Sequence, residues 1–240
     1  MTLKLLSSAV FAGFAAGLIA VLLQFWLVTP LLLEGEEYET GAKTHFEGVL
    51  VVVEDSEGNI VAPEEEAAEV AEEEENLMAR HATTFFMNMV VFSGFGLILV
   101  AGFALAAQFG HQVTFHSGMV WGLAGFIAVQ LAPAAGLYPE LPGTPADNVV
   151  LRQYWWMTTV VTTITGIAFV VFGRGLVYIV IGAALLAAPH IIGAPHLPYY
   201  AGFAPPELSA LFVSRTLFVM MIAWVVLGGV AGYFWHRQTD

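Results

Sequence analysis

No cysteine occurs anywhere in the chain, which excludes disulfides, thiolate nucleophiles and cysteine-based metal sites. Lysine is almost missing too: Lys4 and Lys43 are the only two. Charged residues make up 11% of the 240 positions, against about 25% in soluble domains. There is no HExxH, no GxSxG, no P-loop and no Rossmann glycine pattern. Recognisable ATP hydrolysis is therefore excluded, and neither an enzymatic activity nor a bound cofactor is expected. The long apolar runs also lack Asp and Glu, the groups that proton-coupled pumps commonly use as relays.

Apolar sequence is what the chain has in quantity. Hydrophobic residues make up 58%, and the mean hydropathy is +0.76. A helix needs about 20 apolar residues to cross about 30 Å of hydrocarbon. Runs of that kind lie at Leu5–Val28, Thr83–Phe109, Phe115–Ala135, Tyr154–Phe172 and Ala210–Trp235. A weaker run, Leu176–Ile192, reaches Pro189 after 13 residues and is expected to be kinked or re-entrant. The fold class is thus an all-α integral membrane protein of about six transmembrane helices. The first run is too long for a signal peptide and has no small-residue cleavage site after it, so it reads as a retained helix. The expected divisions are a first transmembrane helix at 1–33, an acidic extramembrane insert at 34–82, and five further helices at 83–240.

The charge is confined to that insert. Between Glu34 and Thr83 stand 16 acidic residues against Lys43 and Arg80, a net of −14, while the remainder sums to +1. The acidity fits either cation gathering or life in high salt. Gly48–Ala62 reads as a β-hairpin around Glu57-Gly58-Asn59, and Pro63–Arg80 as a helix leading into the second span. Lys4, Arg174, His236 and Arg237 fall on one side of the bundle, and Lys43, Arg80 and Arg152 on the other, so the count of Lys and Arg does not orient it. The insert is placed outside and both termini inside.

Helix parity gathers the chemistry at one mouth. Glu36, Glu37, Glu39, His81, Glu140, His190, His196 and Glu207 all fall on that face. The opposite face offers His111, His116 and His236. Two loops at the mouth share a pattern: Ala132-Pro133, five residues, then Pro139-Glu140-Leu141-Pro142, against Ala188-Pro189, five residues, then Pro195-His196-Leu197-Pro198. Glu140 and His196 hold equivalent places. Imidazole and carboxylate together suit borderline divalent ions such as Co²⁺ and Ni²⁺. The metal candidates are His190, His196, Glu140, Glu207, Glu36 and His81. Each taken singly is better explained by a hydrogen bond to a proline-kinked backbone. Inside the spans, Thr158, Thr162 and Thr165 share a helical face that either lines a path or bonds back to its own helix. Gln24, Asn88 and Gln130 are further polar interior residues. Arg215 needs a partner, with Glu207 or Glu140 expected. Gly13 and Gly17, Gly118 and Gly122, and Gly228 and Gly232 have the spacing that lets helix backbones approach.

Several strings carry a family resemblance. A glycine-rich first span ends in Pro30 and is followed by EEYE (Glu36–Glu39). WGLAGF (Trp121–Phe126), APAAGLYPELPG (Ala132–Gly143) and RQYWW (Arg152–Trp156) come next. PHIIGAP (Pro189–Pro195), PEL (Pro206–Leu208) and a last span with Trp224 complete the order. The sequence resembles the CbtA-type predicted cobalt transporter subunits. That resemblance implies a cobalt uptake role linked to cobalamin synthesis. It also implies a small companion subunit with one span and a histidine-rich end. The stretch Glu64–Glu75 is more acidic than the family leads one to expect, and no family motif supplies metal ligands. The expected partners are the lipid bilayer, a divalent metal ion and the companion subunit; no nucleic acid is expected, and self-association is left open. The competing reading is a non-transporting membrane scaffold that assembles or stabilises another carrier. An intramembrane enzyme has little support.

Overall fold

The computed structural model describes residues 2–45, 53–54, 60–61, 77–199 and 201–239. Its helices are α1 (Thr2–Leu27), α2 (Thr29–Glu39), α3 (Leu77–Gln108), α4 (Phe115–Phe126), α5 (Ala132–Ala134), α6 (Val149–Phe172), α7 (Leu176–Ile192) and α8 (Pro206–Thr239). A π-helical turn, Ile127–Leu131, joins α4 to α5 without a break. Five helices are long and apolar enough to cross a membrane; α7 is a shorter apolar helix. At 17 residues it is about 25 Å long, less than the hydrocarbon thickness of about 30 Å. Pro189 sits in its last turn, and the helix ends at Gly193 with φ +86°, a conformation that favours glycine.

Two two-residue strands, β1 (Val53–Glu54) and β2 (Ile60–Val61), pair antiparallel with Val53 opposite Val61 and Glu54 opposite Ile60. That register centres on Glu57, where the hairpin turn is expected. The rest of the expected hairpin, and the expected helix from Pro63 to Asn76, lie outside the described residues.

The core joins α1, α3, α4 and α8, and small residues set how closely the helices pack. A Cβ on Gly13 would lie 2.4 Å from Ser93 Cα, and one on Gly96 would lie 2.5 Å from the Ala9 carbonyl oxygen, so α1 and α3 touch backbone to backbone. The α4–α8 seam is tighter: a Cβ on Gly228 would lie 2.1 Å from the Gly118 carbonyl oxygen, and one on Gly122 equally close to that of Trp224. Ala9, Ala12, Ala16 and Ala20 line the buried side of α1, against Phe92, Phe103, Trp224 and Leu227. Large apolar side chains such as Phe11, Leu22, Phe86, Ile98, Val120 and Val177 point outward. That surface is far beyond what a water-soluble monomer exposes, and it suits lipid.

The pair α6–α7 stands to one side. Among the described elements α7 packs only on α6, and α6 packs otherwise only on the continuous rod of α4, π turn and α5. Gly166 and Gly182 make the α6–α7 contact, each meeting the other's carbonyl.

Helix does not stop at Pro30, where the first span is expected to end. It restarts at Thr29 as α2 and runs to Glu39. The Leu31 and Leu32 amides both turn back to the Val28 carbonyl, so the Leu27 carbonyl loses its usual donor. Arg215 on α8 fills the gap, donating from Nη1 at 3.1 Å. Neither Glu207 nor Glu140 is its partner, contrary to the sequence expectation. A freed carbonyl in an apolar setting is a strong acceptor for a guanidinium.

Candidate functional site at one mouth of the bundle

The mouth is built where α2, the start of α3, the α5–α6 loop and the α7–α8 loop meet. Gly35 of α2 lies against Leu141, and Gly143 lies against both Glu39 and Phe203. Val28, Leu31, Leu141 and Phe212 form a small apolar cluster beneath. The two proline-containing loops also touch, because a Cβ on Gly136 would lie 2.8 Å from that of Ala194.

His190 and His196 share a cavity of about 250 Å³ here, lined also by Ala135, Gly136, Trp155, Gly193 and Ala194. Trp155 is the wall. It is buried, meets the His190 ring edge-on at 6.1 Å, and donates its indole N–H to the Pro189 carbonyl at 3.1 Å. His196 Nδ1 lies 3.1 Å from the Leu197 carbonyl oxygen. A carbonyl only accepts, so Nδ1 carries the proton, and a neutral ring then presents its lone pair on Nε2. Both imidazoles are exposed and can be reached from outside the bundle.

The carboxylates are held elsewhere. Glu140 Oε2 accepts from Arg152 at 2.6 Å. Asn148 sets that pair up by capping α6, its side chain accepting from the Val150 and Leu151 amides at 2.9 and 3.3 Å. Glu36 forms a two-pronged pair with Arg80, one prong at 3.0 Å. His81 packs edge-on against Phe25 at 4.9 Å, and with Arg80 it lines a second, smaller cavity among Gln24, Thr29 and Thr84. Glu207 is exposed in the first turn of α8. Lys43 bonds Glu37 at 2.6 Å, which raises the lysine's pKa. So the six expected ligands fall into four places, and only His190 and His196 line a common cavity. Among the described residues no group of three or more His, Asp or Glu side chains could hold a metal ion.

Of the two roles expected for the α6 threonine face, the structure shows the bond back to the helix itself. Thr158, Thr162 and Thr165 bond back to the carbonyls of Tyr154, Thr158 and Val161. The buried threonines are Thr159 and Thr163, which continue down α6 from Trp155 at a spacing of four. The Trp155–Thr159–Thr163–Gly166 periodicity could have shown this. Deeper in the bundle, Asn88 donates to Gln24 at 3.3 Å across α1 and α3.

A multi-pass membrane helix bundle with an imidazole-lined cavity at one end is the class that fold and site define. Within that class, the chain belongs to the CbtA family, probable cobalt transporter subunits, whose family model matches residues 2–236. No curated protein and no solved structure matches the chain.

Proposed function

We propose that this chain is the membrane subunit of a Co²⁺ uptake transporter linked to cobalamin synthesis, working with a small single-span, histidine-rich companion. The observation that carries the reading is the pair His190 and His196 on one solvent-open cavity. Two imidazole nitrogens, with water completing the coordination shell, suit Co²⁺, with Ni²⁺ as the nearest competitor. The Nδ1 bond of His196 orients that ring, as partners of metal-bound histidines do. Glu140, Glu36, Glu207 and His81 surround the mouth as an approach field. Two of these carboxylates are held by arginines, so a cation must share them with Arg152 or Arg80. A transient station needs weak, incomplete ligation, since it must also release its ion.

The chain crosses the membrane six times in this reading, with the acidic insert outside and both termini inside. The support for the sixth crossing is that α7 runs back along α6, from the Gly166–Gly182 contact to the Trp155–Pro189 bond at the mouth. The shortness of α7 is offset because its end is held among mouth residues.

Titrating the purified chain with Co²⁺ tests the site. His190→Ala together with His196→Ala is expected to weaken binding at least tenfold. Binding is also expected to weaken in acid, because protons compete for the imidazole nitrogens. Unchanged affinity in the double variant rejects the cavity as the site.

A further inference from the structure

Five threonines lie on α6, and four behave alike. Thr158, Thr159, Thr162 and Thr165 each donate to the carbonyl four residues earlier, at 2.8 to 2.9 Å. Thr163 does not. Its residue is 1% exposed, and its Oγ1 is buried without a hydrogen-bond partner. A helical threonine always has a carbonyl of its own helix within reach. A buried hydroxyl without a partner calls for an explanation, and an absent ligand or ion is one.

The surroundings supply a ligand set. Gly166 faces α7, and Thr163 is rotated about 60° from it around the helix axis; among the described elements the one other neighbour of α6 is the α4–π–α5 rod. Gly136, at the end of the rod, touches Trp155. The rod rises to the mouth while α6 descends from it, so positions equally far from this contact share a depth. Thr163 lies eight residues below Trp155, and Ala128 eight below Gly136, each about 12 Å beneath the cavity floor. Ala128 belongs to the π turn Ile127–Leu131, a rare element that is frequent at functional sites. There the Ala132 amide reaches back five residues to the Ile127 carbonyl. Pro133 brings no N–H, so one carbonyl of the turn loses its helical donor. Gln130, half-buried in the same turn, carries an amide oxygen.

We infer that Thr163, Gln130 and the carbonyls of the π turn form a second, oxygen-lined station for a divalent cation, directly below the His190–His196 cavity. This rests on the transport reading. A neutral oxygen set holds a borderline cation more weakly than imidazole does, so the ion passes inward from nitrogen to oxygen ligands as it leaves the mouth. The absence of Asp and Glu from the spans fits a path that must not trap its cargo.

The test uses the full chain in cells, with Co²⁺ as the probe. Thr163→Val removes the hydroxyl and keeps the shape; Gln130→Met does the same for the amide. Together they are expected to lower the maximal uptake rate at least tenfold and to remove the weaker component of Co²⁺ binding to the purified chain, while the component set by the His190–His196 cavity remains. Thr163→Ser is expected to restore at least half the rate. Uptake at the parental maximal rate in the double variant overturns the inference. Because the chain has no cysteine, Thr163→Cys gives a second measure that needs no transport. A small water-soluble thiol reagent is expected to label it, with Co²⁺ slowing the reaction; no labelling also overturns the inference. A defect from Thr163→Val with normal uptake in the histidine variants would reject the mouth site and keep this station. The converse would keep the mouth site alone.

Discussion

The indole nitrogen of Trp155 donates to the carbonyl oxygen of Pro189, which also accepts from the Gly193 amide at 3.0 Å. One carbonyl thus ends α7, joins it to α6 and fixes the wall of the histidine cavity. The proline ring places His190 directly after this anchored atom, so the imidazole is positioned by backbone geometry.

Trp155→Phe keeps most of the ring and loses the bond, an expected cost of about 1 kcal/mol. Trp155→Ala also empties a buried site, on the order of 3–5 kcal/mol. Thermal midpoints of the purified protein should fall slightly for Phe, and the amount of protein in the membrane should fall sharply for Ala. Equal behaviour of the two variants would contradict the role given to the ring.

Close approach of α4 and α8 is the tightest constraint in the bundle. Gly228→Val would put its first carbon against the Gly118 carbonyl oxygen. Since backbone cannot yield as a side chain does, a loss of about 1–3 kcal/mol or more is expected, read as a lower thermal midpoint and lower abundance. Gly94→Ala, with nothing near its Cβ position, should be neutral. A neutral Gly228→Val would show that the helices separate easily.

Most of this architecture was legible because hydropathy and small-residue spacing are local. Five spans and the glycine seams of α1, α4 and α8 follow from runs and intervals within single segments. The site was less legible because its outcome depends on competition among partners. Glu140 and Glu36 are chemically sound ligands, but Arg152 and Arg80 reach them first. Arg215 invited a carboxylate and instead found the Leu27 carbonyl, left free where the Leu31 amide turns to Val28, an acceptor that exists only once α1 has given way to α2. The expected relation between the two proline loops put Glu140 opposite His196, whereas the cavity unites His196 with His190.

Sidedness tests the six crossings. Arg174→Cys, before α7, and Ala201→Cys, after it, are both at exposed positions. An impermeant thiol reagent should reach Ala201→Cys from outside intact cells and Arg174→Cys only after the membrane is opened. Labelling of both from the same face would mean that α7 does not cross.

The most direct measurement is radioactive Co²⁺ uptake by cells carrying this chain and its companion, with His190→Ala and His196→Ala combined. The cavity account predicts a rise of at least tenfold in the Co²⁺ concentration for half-maximal uptake, with an unchanged amount of protein in the membrane. Wild-type dependence on Co²⁺ concentration, at normal abundance, would contradict it.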